Sequence, residues 1–379
     1  MRIVKNEMKR LFNWKMIAVL ILINSILYFL LIDFHIKYFP NGRPDLDSYR
    51  VGVEMVNKYG NTMDKAENAD FKRTYQYRVQ EADRFFQSRE DFNKIGIRTY
   101  EGFKSMDMEN EKASALNSKV MFDEQVDLLW ELQARNTLIE FHNLNEEGIQ
   151  NEIASSNSWQ KERLEEIKSN GSYHVYPELV LDNFKDFIIS VAITIMISVV
   201  LVISPLFIQD RSRKVVHLQY TSKAGRKFYK KKVTAGLLSS FLLITVLLSV
   251  YFSFYFQNKT SMFFQVPVNA FIGSYDWYDF SLGHYMLLSI LAIYILGLVF
   301  ALLAMSFSTF ASSFIALIGF QIPIILAFLM FGTAFFINHM IDYVYPKWVI
   351  PTAYFCTAAI GLLFIILLWK REKKLDIVQ

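Results

Sequence analysis

Residues 184–208 read Phe-Lys-Asp-Phe-Ile-Ile-Ser-Val-Ala-Ile-Thr-Ile-Met-Ile-Ser-Val-Val-Leu-Val-Ile-Ser-Pro-Leu-Phe-Ile. Past Asp186 no charged side chain follows until Asp210, and about twenty apolar residues in a row are what a helix needs to cross a hydrocarbon core. Five more such runs flank this one, at 14–32, 233–255, 284–305, 309–337 and 349–369. A single soluble core would mix polar and apolar residues at helical or strand period instead of segregating them. The 379-residue chain is 53% hydrophobic with a mean hydropathy of only +0.22, because stretches as charged as any soluble domain separate the apolar runs. The expected fold is an all-α membrane protein with six transmembrane helices and a mainly helical extracellular domain.

Details of the runs agree with that reading. Trp14, Tyr28, Tyr251, Tyr285, Trp348 and Trp369 stand near their ends, where amphipathic rings prefer the membrane–water interface. The fifth run is the longest and holds Gln321 and Pro323, so a kink or tilt is expected there. The run at 14–32 is too long for the apolar part of a typical signal peptide, and no small-residue cleavage site follows it, so it reads as a retained first span. Cys356, the single cysteine, excludes an intrachain disulfide framework.

Orientation follows from the short polar segments. Arg2, Lys5, Lys9, Arg10 and Lys15 precede or open the first span. The 209–232 loop holds nine Lys and Arg residues against Asp210, and the 370–379 tail begins Lys370-Arg371. The 338–348 loop has only Lys347. The positive-inside rule puts both termini and the 209–232 loop in the cytoplasm. A net charge of +4 is too small to indicate nucleic acid. The composition, rich in Lys, Asn, Ile, Phe and Tyr, hints at a low-GC bacterium and its cytoplasmic membrane.

The segment 33–183 is then extracellular and far longer than an ordinary connection. Val126, Leu129, Trp130, Ala134, Leu138 and Phe141 recur at helical spacing as one apolar stripe. Lys161, Glu162, Arg163, Glu165, Glu166 and Lys168 read as an exposed charged helix face. Asn170-Gly171 signals a turn. The aromatic loop 256–283 is expected either to lie in the outer interface or to pack on the large domain.

Two cytoplasmic features invite a functional reading. Residues 1–13 form an amphipathic helix with Val4, Met8, Leu11 and Phe12 on one face, suited to lie on the leaflet. It serves either as a topology determinant alone or also as a contact for a cytoplasmic partner. In the 209–232 loop, Asp210 suits a helix cap, and Val215, Val216, Leu218 and Tyr220 offer apolar contacts that positive charge alone would not require. Thr221-Ser222 and then Gly225 mark a break before the third span. A short helix projecting from the membrane suits force transfer to a cytosolic partner.

On these residues the chain resembles the ABC-2-type permeases, in particular those with a large external domain between the first two spans. The corresponding positions are Asp210 closing the second span, Leu218, Thr221-Ser222, Gly225-Arg226 and Lys232, with Asp279-Phe-Ser-Leu-Gly-His-Tyr opening the fourth span and Met305-Ser-Phe-Ser ending it. The resemblance covers nearly the whole chain except the external domain. One departure is that the basic run Arg213-Lys214 stands where a glycine usually follows the acidic residue.

The resemblance implies a permease that moves substrate while a separate dimeric cytoplasmic ATPase, carrying ATP and Mg²⁺, docks on the loop helix. It also implies a second permease half, identical or paralogous. The ATPase-coupling residues would be Asp210, Val215, Leu218, Tyr220, Thr221, Ser222, Gly225 and Arg226. No Gly-x-x-x-x-Gly-Lys-Ser/Thr phosphate loop occurs in this sequence, so ATP hydrolysis by that mechanism and its cofactors are expected elsewhere.

Polar residues within the spans are few and uncharged. Asn24, Ser198 and Gln321 are the pathway candidates, although interhelical hydrogen bonding is the simpler role for such hydroxyls. Lack of an ionisable residue at depth argues against ion-coupled transport. The six histidines are scattered, without a metal-ligand spacing, and no Gly-x-Ser-x-Gly elbow occurs, so a membrane enzyme is disfavoured. Two functions stay open: an exporter subunit for an amphiphilic peptide, antibiotic or lipid-like molecule, and a peptide sensor or immunity protein that captures ligand outside.

Overall fold

The computed structural model describes residues 2–171, 173–221, 225 and 227–374, with the backbone alone at His217, Tyr220 and Lys374. In chain order its main helices are α1 (Arg2–Leu11), α2 (Trp14–Lys37), α3 (Asp45–Tyr59), α4 (Lys65–Gln87), α5 (Asp127–Ser155), α6 (Ser158–Asn170), α7 (Leu179–Ser212), α8 (Val216–Thr221), α9 (Lys227–Asn258), α10 (Leu282–Phe310), α11 (Phe314–Gly332) and α12 (Val349–Lys374). No strand occurs among the described residues, only isolated bridges such as Tyr176 with Phe271. The fold is all-α, and α2, α7, α9, α10, α11 and α12 are long and apolar enough to cross a membrane.

The chain divides into two compact units. One comprises residues 1–37, 183–259 and 284–379; the other comprises 38–182 and 260–283.

In the first unit α7 is the core helix. Within its most apolar stretch 72% is buried, against 11% for α2 and 17% for α11 and α12. Phe184, Phe187, Val191, Ile195 and Val199 are fully buried along it, and Phe187 lies against Tyr255 of α9 with ring centroids 4.6 Å apart. A helix buried over most of its circumference needs no amphipathic stripe; even its less buried face, Ile189, Ile193, Ile197 and Leu201, is apolar. Glycine permits close approach at Gly297, where a Cβ would come within 2.6 Å of Ile244 Cδ1 on α9. Gly319 has open space around it, and Gly332 faces Phe328 of its own helix, so neither brings two helices together.

α7 breaks at Ser204, before Pro205. A proline lacks an N–H, and the turn leaves further donors to satisfy. The Ser308 hydroxyl of α10 accepts from the Phe207 and Ile208 N–H groups at 3.1 and 3.0 Å and donates to the Ser204 carbonyl at 2.6 Å. α10 runs on to Phe310, and α11 opens at Phe314 with Ser313 as its N-cap. The α-helix passes through Pro323 to Ala327 and then widens into two π turns, Phe328–Gly332 and Ala334–Asn338.

The second unit, polar and helical, is built on α5, which packs against α3, α4 and α6. Leu129, Trp130, Ala134 and Leu138 point inward from α5, and the Trp130 indole donates to the Met121 carbonyl at 2.8 Å. Phe141, on the same spacing, is 45% exposed, although Ile149 and Ile153 farther along α5 are buried again. Capping boxes at Asp64/Glu67 and Asn157/Gln160 start α4 and α6, and Gly171 ends α6 at φ +68.

Arg163 departs from the exposed charged face expected over 161–168. It is buried, donating to the Asp276 carbonyl at 2.9 Å and to the Asp279 carboxylate at 2.6 Å. The aromatic segment 260–283 folds into this unit and covers it, so an apparently solvated arginine becomes the tie for a distant loop.

Candidate functional site

The site forms where four elements of the first unit meet. Asp210, on the last turn of α7, is buried and holds three partners. Arg10 of α1 donates from Nη1 to Oδ1 at 2.6 Å, Gln219 of α8 donates from Nε2 to Oδ2 at 2.5 Å, and the Lys232 ammonium of α9 is ion-paired with Oδ2. The Leu206 carbonyl, one turn earlier on α7, accepts from both Arg10 and Lys232 at 3.0 and 2.9 Å. Glu7 of α1 completes the cluster, 2.9 Å from Arg10. Burial raises the Glu7 carboxyl above the ordinary range, while Lys232 and Arg10 pull it back.

Buried charges persist only when paired and hydrogen-bonded. Here one carboxylate faces two cations, with a second carboxylate beside them. Asp210 does not cap the loop helix as expected: it lies in the last turn of α7 and its carboxylate accepts from the side chains of Arg10, Gln219 and Lys232, joining the N-terminal helix, the end of the second span, the loop helix and the start of the third span.

The chain between Asp210 and α8 turns back on itself. Val215 N donates to the Asp210 carbonyl at 3.1 Å and Lys214 N to the Arg211 carbonyl at 3.0 Å. Lys214 has φ +55, the left-handed region that glycine enters without steric cost. The basic run thus occupies the conformation a glycine would favour, and the reversal forms without one. Beside it the Arg211 guanidinium donates to the carbonyls of Ala311, at 2.6 Å, and Thr309, satisfying the C-terminal end of α10.

On α8 the Leu218 side chain is 71% exposed, while its neighbour Gln219 is held by Asp210. Val215 and Val216 are half-buried, and Thr221 is exposed. Gly225 has φ +50. Ser222, Arg226 and the side chain of Tyr220 lie outside the described residues.

The three polar residues singled out within the spans all bridge helices. The Asn24 amide donates to Ser198 Oγ at 2.9 Å and its oxygen accepts from Tyr251 at 2.7 Å, linking α2, α7 and α9. The Gln321 amide of α11 donates to Ser204 Oγ at the α7 break, at 2.9 Å.

Sequence reasoning missed Glu7, Arg10 and Gln219 as members of the site. The available signal was Glu7 itself, the one acid in the first 13 residues, placed three before Arg10. In the second unit a groove of about 750 Å³ is lined by Tyr59, Asp64, Glu67, His142, Glu146 and Lys168, among others. Among the described residues no group of three or more His, Cys, Asp or Glu is arranged to hold a metal ion.

Six long apolar helices place the chain among multi-pass membrane proteins. It belongs to the ABC-2 transporter family: the family model described as "ABC-2 family transporter protein" matches residues 14–371, nearly the whole length. No curated protein and no solved structure matches the chain. The chain is accordingly a membrane subunit of a transporter.

Proposed function

We propose that this chain is the permease half of an ATP-driven exporter in a bacterial cytoplasmic membrane, moving an amphiphilic substrate (a peptide, antibiotic or lipid-like molecule) outward. Both termini and α8 face the cytoplasm, and 33–183 is extracellular. A dimeric ATPase subunit carrying ATP and Mg²⁺ docks on α8, and a second permease half, identical or paralogous, completes the pathway.

The observation that carries the reading is Leu218. An apolar side chain 71% exposed on a six-residue helix is poorly accounted for by topology alone, and the Gln219–Asp210 bond beside it gives that helix a rigid mount. Docking that pushes on Leu218 and its neighbours Val215 and Thr221 would act through Asp210 on the ends of α7 and α9 and on α1. Tyr220, Ser222, Gly225 and Arg226 would complete the docking surface. Asn24, Ser198 and Gln321 are candidates to line the pathway or to be rearranged as it opens.

A second reading, a sensor or immunity protein, draws on the groove of the second unit, which is large enough for part of a peptide. Affinity purification of the tagged chain from its native membrane separates the two. Recovery of an ATPase subunit in near-equal amount, lost on Leu218→Asp, supports the exporter. A chain that purifies without an ATPase while α8 is intact supports ligand capture.

A further inference from the structure

The groove of about 750 Å³ in the second unit has a wall whose hydrogen bonding the fold leaves incomplete. Two atoms of its lining residues, His142 Nδ1 and Asn68 Oδ1, are buried with no hydrogen-bond partner among the described residues. His142 Nε2 lies 2.9 Å from the Val175 carbonyl, and only an N–H can pair with a carbonyl, so the ring proton sits on Nε2. Burial lowers the ring's pKa and favours its neutral form, which leaves Nδ1 an acceptor. The two residues stand on helices packed together, α5 and α4. The His142 ring is 6.0 Å from that of Phe71, one turn after Asn68. A buried acceptor left unpaired is costly, so two in one wall call for a donor.

The electrostatics of the groove favour a cation over an anion. α4 begins there, but its capping box takes up donors with which a helix N-terminus would hold an anion: Asp64 Oδ1 accepts from Glu67 N and Glu67 Oε2 from Asp64 N, both at 2.8 Å. α6 ends there, at Asn170 and Gly171, and the C-terminal end of a helix carries partial negative charge. The Glu146 carboxylate is exposed on the lining, and Lys168, 3.9 Å from it, donates instead to Gln150 Oε1 at 2.9 Å. With Lys65 also present, three carboxylates face two ammonium groups. Tyr59, Met63 and Tyr173 add apolar surface suited to the aliphatic stem of a long cationic side chain.

We propose that this groove binds the primary ammonium of a lysine side chain in a peptide ligand, with His142 Nδ1 and Asn68 Oδ1 accepting its N–H groups and Glu146 supplying the opposite charge. An ammonium brings three donors and no acceptor, the complement of a wall with spare acceptors. Both acceptors are buried, so the ligand reaches them after a side-chain rotation of the kind binding surfaces commonly make. The proposal rests on the reading of the second unit as a place of ligand capture, and it holds whether or not an ATPase docks on α8.

The test titrates the full-length protein in detergent by calorimetry, with an end-blocked dilysine peptide as the probe. Its trimethyl-lysine analogue keeps the charge but has no side-chain N–H, and its norleucine analogue has neither. The dilysine peptide is expected to bind at least about ten-fold more tightly than either analogue, as hydrogen bonds to a charged group would give. Asn68→Asp, which keeps an oxygen and adds charge, is expected to tighten binding, and Asn68→Leu to weaken it about ten-fold. Glu162→Gln with Glu165→Gln removes two exposed acids of α6 and is expected to leave binding unchanged. Equal loss in that control would show diffuse attraction to an acidic surface and overturn the site, as would equal affinity for the trimethyl-lysine analogue. Tighter binding of the norleucine analogue would overturn the ammonium while leaving peptide capture standing, whereas no binding of any of the three would overturn capture by the groove itself. Cadaverine bound as tightly as the dilysine peptide would overturn the assignment to a peptide in favour of a free amine.

Discussion

Asp210 and Lys232 lie against each other where α7 ends and α9 begins, each only 2% exposed, and the same lysine donates to the Leu206 carbonyl at 2.9 Å. Taking both groups from water is costly, and their attraction offsets that cost only while every partner is in place. Asp210 is the anion that Arg10 and Lys232 share, so its loss is the more damaging change. Asp210→Asn is expected to cost on the order of 3–5 kcal/mol and Lys232→Met less, because Arg10 and Gln219 remain on the carboxylate. The double variant should be less damaged than the sum of the two. Thermal unfolding of the purified variants measures this, and simple additivity would show that the pair is not coupled.

Leu218 is exposed and makes no core contact that its loss would empty. Leu218→Asp should leave the unfolding temperature within about 2 °C, since surface substitutions usually change stability by under about 0.5 kcal/mol. It should lower recovery of an ATPase partner at least about ten-fold, as a desolvated anchor in an interface does. Full recovery of partner with Leu218→Asp would move the docking surface elsewhere.

Lys214 occupies a left-handed backbone conformation at φ +55, which disfavours any residue with a Cβ by about 1–2 kcal/mol. Glycine there loses some of that gain to its unfolded-state entropy. Lys214→Gly is therefore expected to stabilise the chain, by up to about 1 kcal/mol. A fall in unfolding temperature would mean that the lysine side chain makes a contact worth more than the strain.

Burial pushes His174 in the second unit down to about 4, and burial also lowers His142, whose Nε2 lies 2.9 Å from the Val175 carbonyl. A histidine with a depressed folded-state pKa contributes its full stability above its unfolded value, about 6.5. It loses that contribution as pH falls toward 4, because the unfolded chain then takes up the proton more readily. The unit should lose roughly 2–4 kcal/mol over that window. Asp45 and Asp47, raised by burial, act in the opposite direction, so the comparison must be with His174→Gln, which should flatten the acid slope. Asp70, held down to about 2 by Lys58 and Arg73, acts only below the window. Urea unfolding at several pH values, read by proteolysis within 38–182, decides it.

Arg163 ties the 260–283 segment to α6. Arg163→Met keeps the packing but leaves the Asp276 carbonyl without this donor, a loss of about 1–3 kcal/mol. Limited proteolysis should then cut within 260–283 before the helices of the same unit. Unchanged protection would show that Phe263, Phe271 and their neighbours hold the segment without the arginine.

Much of the architecture was legible because crossing a membrane imposes a length and an apolarity that each helix must carry in its own sequence. The runs opening at Trp14 and around 184–208, 233–255 and 349–369 needed no knowledge of their neighbours. The loop helix was legible for a related reason: Val215, Val216 and Leu218 in a basic loop are a local anomaly. Arg163 was misread because its local pattern is that of a solvated helix, and only a segment more than a hundred residues later covers it. Arg10 looked like a topology charge and Glu7 drew no notice, because their partners Asp210 and Lys232 are some two hundred residues away.

By itself, then, the sequence determined the helical class, the six long apolar helices and the candidate loop helix, since hydrophobic length and local periodicity act over one helix at a time. Only the tertiary structure decided that Asp210 gathers Arg10, Gln219 and Lys232, that Ser308 caps the break at Ser204, and that Arg163 is interior. Those outcomes depend on which distant groups meet. The pairing of buried charges and orphaned backbone donors is settled by three-dimensional proximity, of which the residue order carries only a trace, the single acid Glu7 among the N-terminal cations.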